Sequence, residues 1–156
     1  SQDVTFHLNG NEIFIFHIGR AHTDGDAIVH FKKSNVIHMG DIYFNGMYPF
    51  IDLSAGGSIN GMIAAVKRIL LLCDRNTKVI PGHGHLSNKT ELEEYLKMLV
   101  AVRDRIAREI KAGKPLDAVI ASLPTRDLDP VWGKGFMKPE QFVTIVYESL
   151  VNERSH

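Results

Sequence analysis

The sequence predicts a mixed α/β (α+β) fold in which a β-sheet comes first and helices follow. Apolar residues alternate with period two through much of the first forty residues and recur with helical period over most of the rest. The 156 residues are 44% hydrophobic and 23% charged, which is enough apolar sequence to bury a core. Because the sequence contains no internal repeat, low-complexity tract or linker, we expect a single domain over residues 1–156.

Four short strands are predicted before Asp41. Val4–Leu8 and Glu12–Ile18 flank an Asn9-Gly10 pair, which tolerates positive φ and therefore favours a tight hairpin. Ala27–Phe31 and Val36–Met39 are rich in residues that favour strands and are separated by a polar turn. The sequence therefore predicts a hairpin followed by a second pair of strands.

Helical periodicity begins after Ser58, a predicted N-cap, and its apolar stripe extends from Ile59 to Cys73. A short strand is predicted at Lys78–Ile80, and the next helix begins at the N-cap Asn88. The later elements are a helix to Ile110 ended by Gly113 and Pro115, a short helix over 116–123, an irregular connector over 124–138 and a last helix from Pro139 to about Val151.

Charge and cysteine content exclude several classes of function. Eighteen basic residues balance eighteen acidic ones, so we expect neither a nucleic-acid partner nor a membrane partner, and a small-molecule substrate instead. No run approaches the roughly 20 apolar residues of a membrane span, so we expect a soluble chain, cytoplasmic or periplasmic, with an upstream signal peptide left open. The single cysteine, Cys73, rules out an internal disulfide and is expected to be a buried thiol.

Three potential metal-binding residues stand where predicted strands meet loops. His22 opens one loop, Asp41 closes a strand, and His83 follows another strand. Neutral imidazole and carboxylate suit borderline cations such as Zn²⁺, and loops on a rigid sheet can bring distant residues together. Spacing alone leaves two interpretations open. One is a metal site, and the other is histidines that only form hydrogen bonds beside an aspartate that only shapes a turn.

Taken together and in order, the three segments resemble the later motifs of the metallo-β-lactamase superfamily. They read Ala21-His22-Thr23-Asp24-Gly25-Asp26, Met39-Gly40-Asp41-Ile42-Tyr43-Phe44 and Ile80-Pro81-Gly82-His83-Gly84, and the match spans most of residues 12–110. The resemblance implies a hydrolase with an αββα sandwich and one or two metals, usually zinc. It also implies that His22 binds the first metal, that Asp41 bridges both metals in catalysis, and that His83 binds the second.

The first motif of that family, HxHxDH, is absent from the sequence. That motif would supply two ligands to the first metal and an Asp and a His to the second. The resemblance therefore implies that this chain is the C-terminal half of the sandwich, a β-sheet with its outer helices. We expect zinc binding and activity of the chain alone to be weak or absent. Asp41 differs from true β-lactamases, which generally have Cys or Ser there, and is more similar to the glyoxalase-II type of hydrolase.

The remaining candidate residues have less specific interpretations. Four histidines lie inside predicted strands and are expected to pack or face solvent, namely His7, His17, His30 and His38, and His156 is terminal. His85 is a candidate to support a metal ligand. Asp24 and Asp26 either orient His22 or shape the turn. The segment Tyr48-Pro49-Phe50 either lines a substrate groove or forms a hydrophobic plug.

Two classes of function stay open. One is a metal-dependent, zinc-using hydrolase of an ester, thioester, amide or similar bond, and the other is a non-catalytic binding or assembly protein that keeps the half-fold. A half-sandwich leaves one sheet face without its cover, at a cost of about 25 cal/mol per Å² of apolar surface. We therefore expect a homo-oligomer, or association with the missing N-terminal half, through sheet residues such as Ile13, Ile15, Ile28 or Val36.

Overall fold

The predicted mixed α/β class is confirmed by a computed structural model, which describes residues 3–154 and so leaves His156 outside. The strands are β1 Asp3–Leu8, β2 Asn11–His17, β3 Ala27–Phe31, β4 Val36–His38, β5 Lys78–Ile80 and β6 Ser87–Asn88. The helices are α1 Ile59–Leu70, α2 Lys89–Lys111, α3 Leu116–Ala121, α4 Asp129–Trp132 and α5 Pro139–Arg154. Within residues 3–154, none of these helices is long and apolar enough to cross a membrane.

Local chemistry explains where several elements begin. Asn9 and Gly10 have φ of 50° and 72°, so the β1–β2 hairpin closes through the predicted tight turn. The Ser58 side chain accepts a hydrogen bond from the Gly61 amide and caps α1. The Asn88 side chain accepts one from the Glu91 amide and caps α2. These sequence-based starting points are confirmed.

Three short elements depart from the predicted pattern. A 3-10 turn occupies Gly40–Ile42, β6 lies directly before α2, and α4 lies inside the connector that was predicted to be irregular throughout. Such short elements show no usable periodicity. Tertiary contacts position them instead, as when the Tyr48 amide donates to the carbonyl of Trp132 at the end of α4 (2.9 Å).

One face of the sheet is covered by the chain's own helices. The six strands form a single sheet in sequence order, with β4 and β5 parallel and all other pairs antiparallel. Phe16 of β2 pairs with Ile28 of β3, and Ile37 of β4 pairs with Val79 of β5. Ile37 also pairs with His30, two residues after Ile28 on the same side of β3, so all four side chains share one face. All four are at most 1% exposed, within a core shared with α1, α2 and α5. We call this the covered face.

The opposite face, which we call the open face, is also apolar. Its large apolar residues on β1 to β4 are Val4, Phe6, Leu8, Ile13, Ile15, Val29, Phe31 and Val36. On the edge strand β1, Val4, Phe6 and Leu8 are 46%, 51% and 59% exposed, although each is a large hydrophobic residue. The expectation that Ile28 would serve an intermolecular contact is wrong, since Ile28 pairs with Phe16 and lies on the covered face. Ile13, Ile15 and Val36 do lie on the open face.

Candidate metal centre

Strand direction brings His22, Asp41 and His83 to one edge of the sheet, and we call these three residues the His–Asp–His cluster. Strands β2, β4 and β5 run in the same direction, so their C-terminal ends lie at the same edge. Asp41 Oδ2 lies 3.8 Å from His22 Nε2, and Asp41 Oδ1 lies 3.3 Å from His83 Nε2. The predicted convergence in space is thus found, and the role of the three residues as metal ligands stays a prediction.

The orientation of His22 is set by a backbone carbonyl. His22 Nδ1 lies 2.9 Å from the Phe50 carbonyl oxygen. A carbonyl only accepts hydrogen bonds, so Nδ1 must carry the hydrogen, and in a neutral ring Nε2 then presents its lone pair. That lone pair lies towards a carboxylate oxygen of Asp41, which is also an acceptor. A cation placed between these two acceptors could be bound by both of them.

The loop that carries His22 is held against the start of α1. The Asp52 amide donates to the His22 carbonyl oxygen (2.9 Å), and a Cβ added at Gly57 would lie only 2.2 Å from that oxygen. Hydrogen bonds from the Ser54 hydroxyl and the Ala55 amide lower the pKa of Asp52. The loop therefore depends on glycine at residue 57 to lie this close to the helix.

In the His22 loop, the Asp26 carboxylate shapes the turn, and Asp24 holds the loop through its backbone atoms. Both oxygens of the Asp26 carboxylate accept from Thr23, one from its amide and one from its hydroxyl, each at 3.0 Å. The Asp24 amide donates to the Ala55 carbonyl (2.8 Å), and its own carbonyl lies 2.6 Å from His17 Nε2. His17 therefore supports the loop from within β2, which its position in a strand did not predict.

Asp41 lies in the 3-10 turn after β4, packed directly against a glycine. The Gly40 amide donates to His38 Nδ1 (3.1 Å), and the Gly82 amide donates to the Gly40 carbonyl (2.8 Å). A Cβ added at Gly82 would lie 2.3 Å from Asp41 Oδ1 and 2.6 Å from the Gly40 carbonyl oxygen. Glycine at residue 82 is therefore required for space beside the carboxylate.

His83 continues the parallel pairing of β4 and β5 beyond their ends. It forms an isolated parallel bridge with Phe44, and the Asn45 amide donates to its carbonyl (2.8 Å). Its ring stacks on Phe44 with centroids 4.6 Å apart and planes 15° apart. His85 supports the same loop through its carbonyl, which accepts from Asn45 Nδ2 (3.1 Å).

Solved structures with a similar fold are known, although no protein-family model and no curated protein matches the sequence. A metallo-β-lactamase from Pontibacter korlensis aligns with a TM-score of 0.55 at 19% identity, over 64% of this chain and 46% of its own. DIM-1 metallo-β-lactamase aligns with a TM-score of 0.53 at 20% identity, over 64% of this chain and 45% of its own. The stereoselective inverting sec-alkylsulfatase Pisa1 from Pseudomonas sp. aligns with a TM-score of 0.71 at 15% identity, over 95% of this chain and 25% of its own.

The chain has the metallo-β-lactamase fold. The resemblance of its motifs to that superfamily is therefore confirmed at the level of the fold. The chain spans less than half the length of these metallo-β-lactamases and about a quarter of the alkylsulfatase. The covered share of the metallo-β-lactamases agrees in part with the prediction that this chain is half of the sandwich. The activity of a longer protein is a proposal.

Within the metallo-β-lactamase fold, the His–Asp–His cluster fits part of a metal site. Its donors are two imidazoles and a carboxylate, which suit zinc, and each imidazole lies near a different carboxylate oxygen. Across residues 3–154, no group of three or more His, Cys, Asp or Glu side chains is arranged to hold one ion.

The segment after Asp41 has a buried part and an exposed part, and a role of the exposed part in lining a substrate groove stays a prediction. Tyr48 is buried, stacks on Phe142 (4.6 Å) and donates to Asp129 Oδ1 (2.8 Å), so it acts as a plug. Burial raises the pKa of Tyr48 well above its usual value. Phe50 is 38% exposed, and its ring centroid lies 5.8 Å from that of His22. Phe136, whose centroid lies 5.9 Å from that of His83, was not predicted, since no local pattern marks it.

Proposed function

We propose that this chain contributes one edge of a dinuclear zinc centre in a hydrolase with the metallo-β-lactamase fold. The observation that carries the proposal is the pair of imidazole nitrogens placed at opposite oxygens of Asp41. His22 would bind the first ion, His83 the second, and Asp41 would give one oxygen to each. When bound, zinc supplies Lewis acidity and lowers the pKa of water towards neutrality.

The chain's own residues would fix the donors before any ion binds. The Phe50 carbonyl holds the His22 ring with Nε2 towards the site, as a supported metal ligand requires. The Phe44 ring supports His83, and the glycine at residue 82 leaves room for the Asp41 carboxylate. The side chains of Asp41 and His83 are about half exposed, so a substrate can approach them from solvent.

The substrate class that we propose is an ester, thioester, amide or similar bond. The alkylsulfatase match, which covers more of this chain than the metallo-β-lactamase matches do, adds sulfate esters to the set to be assayed. A non-catalytic binding or assembly role is the alternative. Zinc content and turnover, measured on this chain and on the full-length gene product, distinguish the two.

Zinc titration against a competing chromogenic chelator tests the ligand assignment on the chain itself. We expect weak zinc binding that Asp41→Ala lowers by about tenfold or more, because the carboxylate would contribute to both ions. His85→Ala is the matched control, since it removes a neighbouring imidazole from the same loop, and zinc affinity should stay unchanged. Equal zinc affinity for the wild type and Asp41→Ala would refute the assignment.

Hydrolysis by the full-length gene product tests the catalytic role. We expect Asp41→Ala to lose most turnover while its circular dichroism spectrum stays that of the wild type, and His85→Ala to lose about tenfold at most. Unchanged turnover of Asp41→Ala contradicts the bridging role. Stoichiometric zinc without turnover on any assayed substrate would favour the non-catalytic alternative.

A further inference from the structure

We propose that Phe50 and Phe136 form the walls of a binding site for an uncharged apolar group of the substrate, next to the bond that is hydrolysed. The inference rests on the proposed function and names the substrate class of that site. The Phe50 ring meets His22 edge-on, and the Phe136 ring is tilted towards His83. The two rings are 38% and 56% exposed, which leaves large apolar surface on both sides of the His–Asp–His cluster.

The segment that carries Phe136 is attached to the segment that carries Phe50. The Tyr48 amide and hydroxyl bind the Trp132 carbonyl (2.9 Å) and the Asp129 carboxylate (2.8 Å). A Cβ added at Gly135 would lie 2.8 Å from the Cβ of Met47, so the two segments touch directly beside Phe136. The Phe136 ring also packs near Phe44, with centroids 5.8 Å apart. Phe136 is therefore held in place by its neighbours, although its ring faces solvent.

A small cleft adjoins Phe50 and gives the apolar group a place to extend. Its volume is about 340 Å³, and it is lined by Phe50, Met137, Glu140, Gln141, Thr144 and Ile145. This volume is at the lower end of ligand-binding clefts, so it suits a short alkyl chain or a single ring. Glu140 places a carboxylate at the cleft and disfavours a second anionic group there. The chemistry that fits is a neutral apolar substituent of about that size.

Binding of straight-chain primary alcohols tests the proposal without metal or turnover. Alcohols are products of ester hydrolysis, and being neutral they avoid repulsion by Asp41 and Glu140. Dissociation constants for ethanol, butanol and hexanol are measured on this chain by two-dimensional NMR. We expect affinity to rise about threefold per added methylene in the wild type, because each methylene leaves water for an apolar wall.

Matched variants locate the binding surface. Phe50→Ala and Phe136→Ala should each remove most of this dependence on chain length, whereas Phe136→Leu, which keeps an apolar side chain, should retain part of it. Phe6→Ala is the control, because it removes a ring of similar exposure, 51%, from the open face of the sheet. The dependence should persist in that variant.

Two results would overturn the inference. One is equal affinity for ethanol and hexanol in the wild type. The other is a dependence that survives both Phe50→Ala and Phe136→Ala, and its loss in Phe6→Ala would then place binding on the open face. Zinc titration tests the metal proposal independently. Asp41-dependent zinc binding without a dependence of alcohol affinity on chain length would overturn the apolar site and leave the metal proposal standing. A chain-length dependence lost in Phe50→Ala, without Asp41-dependent zinc binding, supports the apolar site and overturns the metal proposal.

Discussion

On the covered face of the sheet, Phe16 and Ile28 are almost fully buried, whereas on the open face the large side chains of β1 are about half exposed. Residues 13–16 of β2 read Ile-Phe-Ile-Phe, so this strand is apolar on both sides and lacks the alternation of a strand with one wet face. The strand β2 is therefore suited to a sheet with packing layers on both faces, and the helices of this chain supply the layer on one face only.

The largest difference between the faces should appear in stability. Ile28→Ala empties a fully buried position on the covered face and should lower the free energy of unfolding by about 3 kcal/mol, through lost burial and a cavity. Ile15→Ala makes the same chemical change on the open face and should cost about 1 kcal/mol. Urea unfolding followed by circular dichroism measures both values. Both values are expected for the monomer, so urea unfolding is measured at a protein concentration low enough to dissociate any oligomer. Equal costs under that condition would contradict the comparison.

Association through the open face is the next effect in size. We expect the chain to be a homodimer or larger in light scattering, and Phe6→Glu to shift it to monomer by placing a charge on that face. Leu71→Glu is the control, because Leu71 is 86% exposed in the turn after α1, and its oligomeric state should match the wild type. A monomeric wild type would mean that the open face tolerates water, and the predicted homo-oligomer would be wrong.

The smallest expected effect is on the reactivity of Cys73, a buried residue that follows α1 and packs in the core under the covered face. Burial raises the pKa of its thiol from 9.0 to about 11. Because the folded chain holds the thiol proton more tightly, the contribution of Cys73 to the free energy of unfolding is fully present below about pH 9. It is lost as the pH rises towards 11. Iodoacetamide at pH 8.5 should therefore alkylate the native chain about tenfold or more slowly than the urea-unfolded chain, as followed by mass spectrometry. Equal rates would show that the α1 layer opens readily.

Much of the architecture was predictable because its causes are local. Ser58 and Asn88 cap the helices through their own side chains, and Asn9-Gly10 closes its turn through its own backbone. The convergence of His22, Asp41 and His83 was also predictable, since each follows a strand and the strand ends share an edge.

Other features depend on distant neighbours and could not be predicted. The Phe50 carbonyl that orients His22 belongs to the backbone, and any residue could supply it. Phe136 reaches His83 only because Tyr48 and Gly135 attach its segment to the one after Asp41. The face assignment of Ile28 failed because β2 and β3 are apolar on both sides, so the pattern did not show which side the helices cover.

The missing side chain at Gly82 affects how the site would appear in a saturation mutagenesis experiment. Every replacement adds at least a Cβ at a point 2.3 Å from Asp41 Oδ1, so even alanine displaces the carboxylate or the turn that carries it. In a scan scored for zinc binding, residue 82 should therefore tolerate as few substitutions as Asp41 itself. The resulting map would mark as essential a residue that supplies no chemical group and contributes only unoccupied volume.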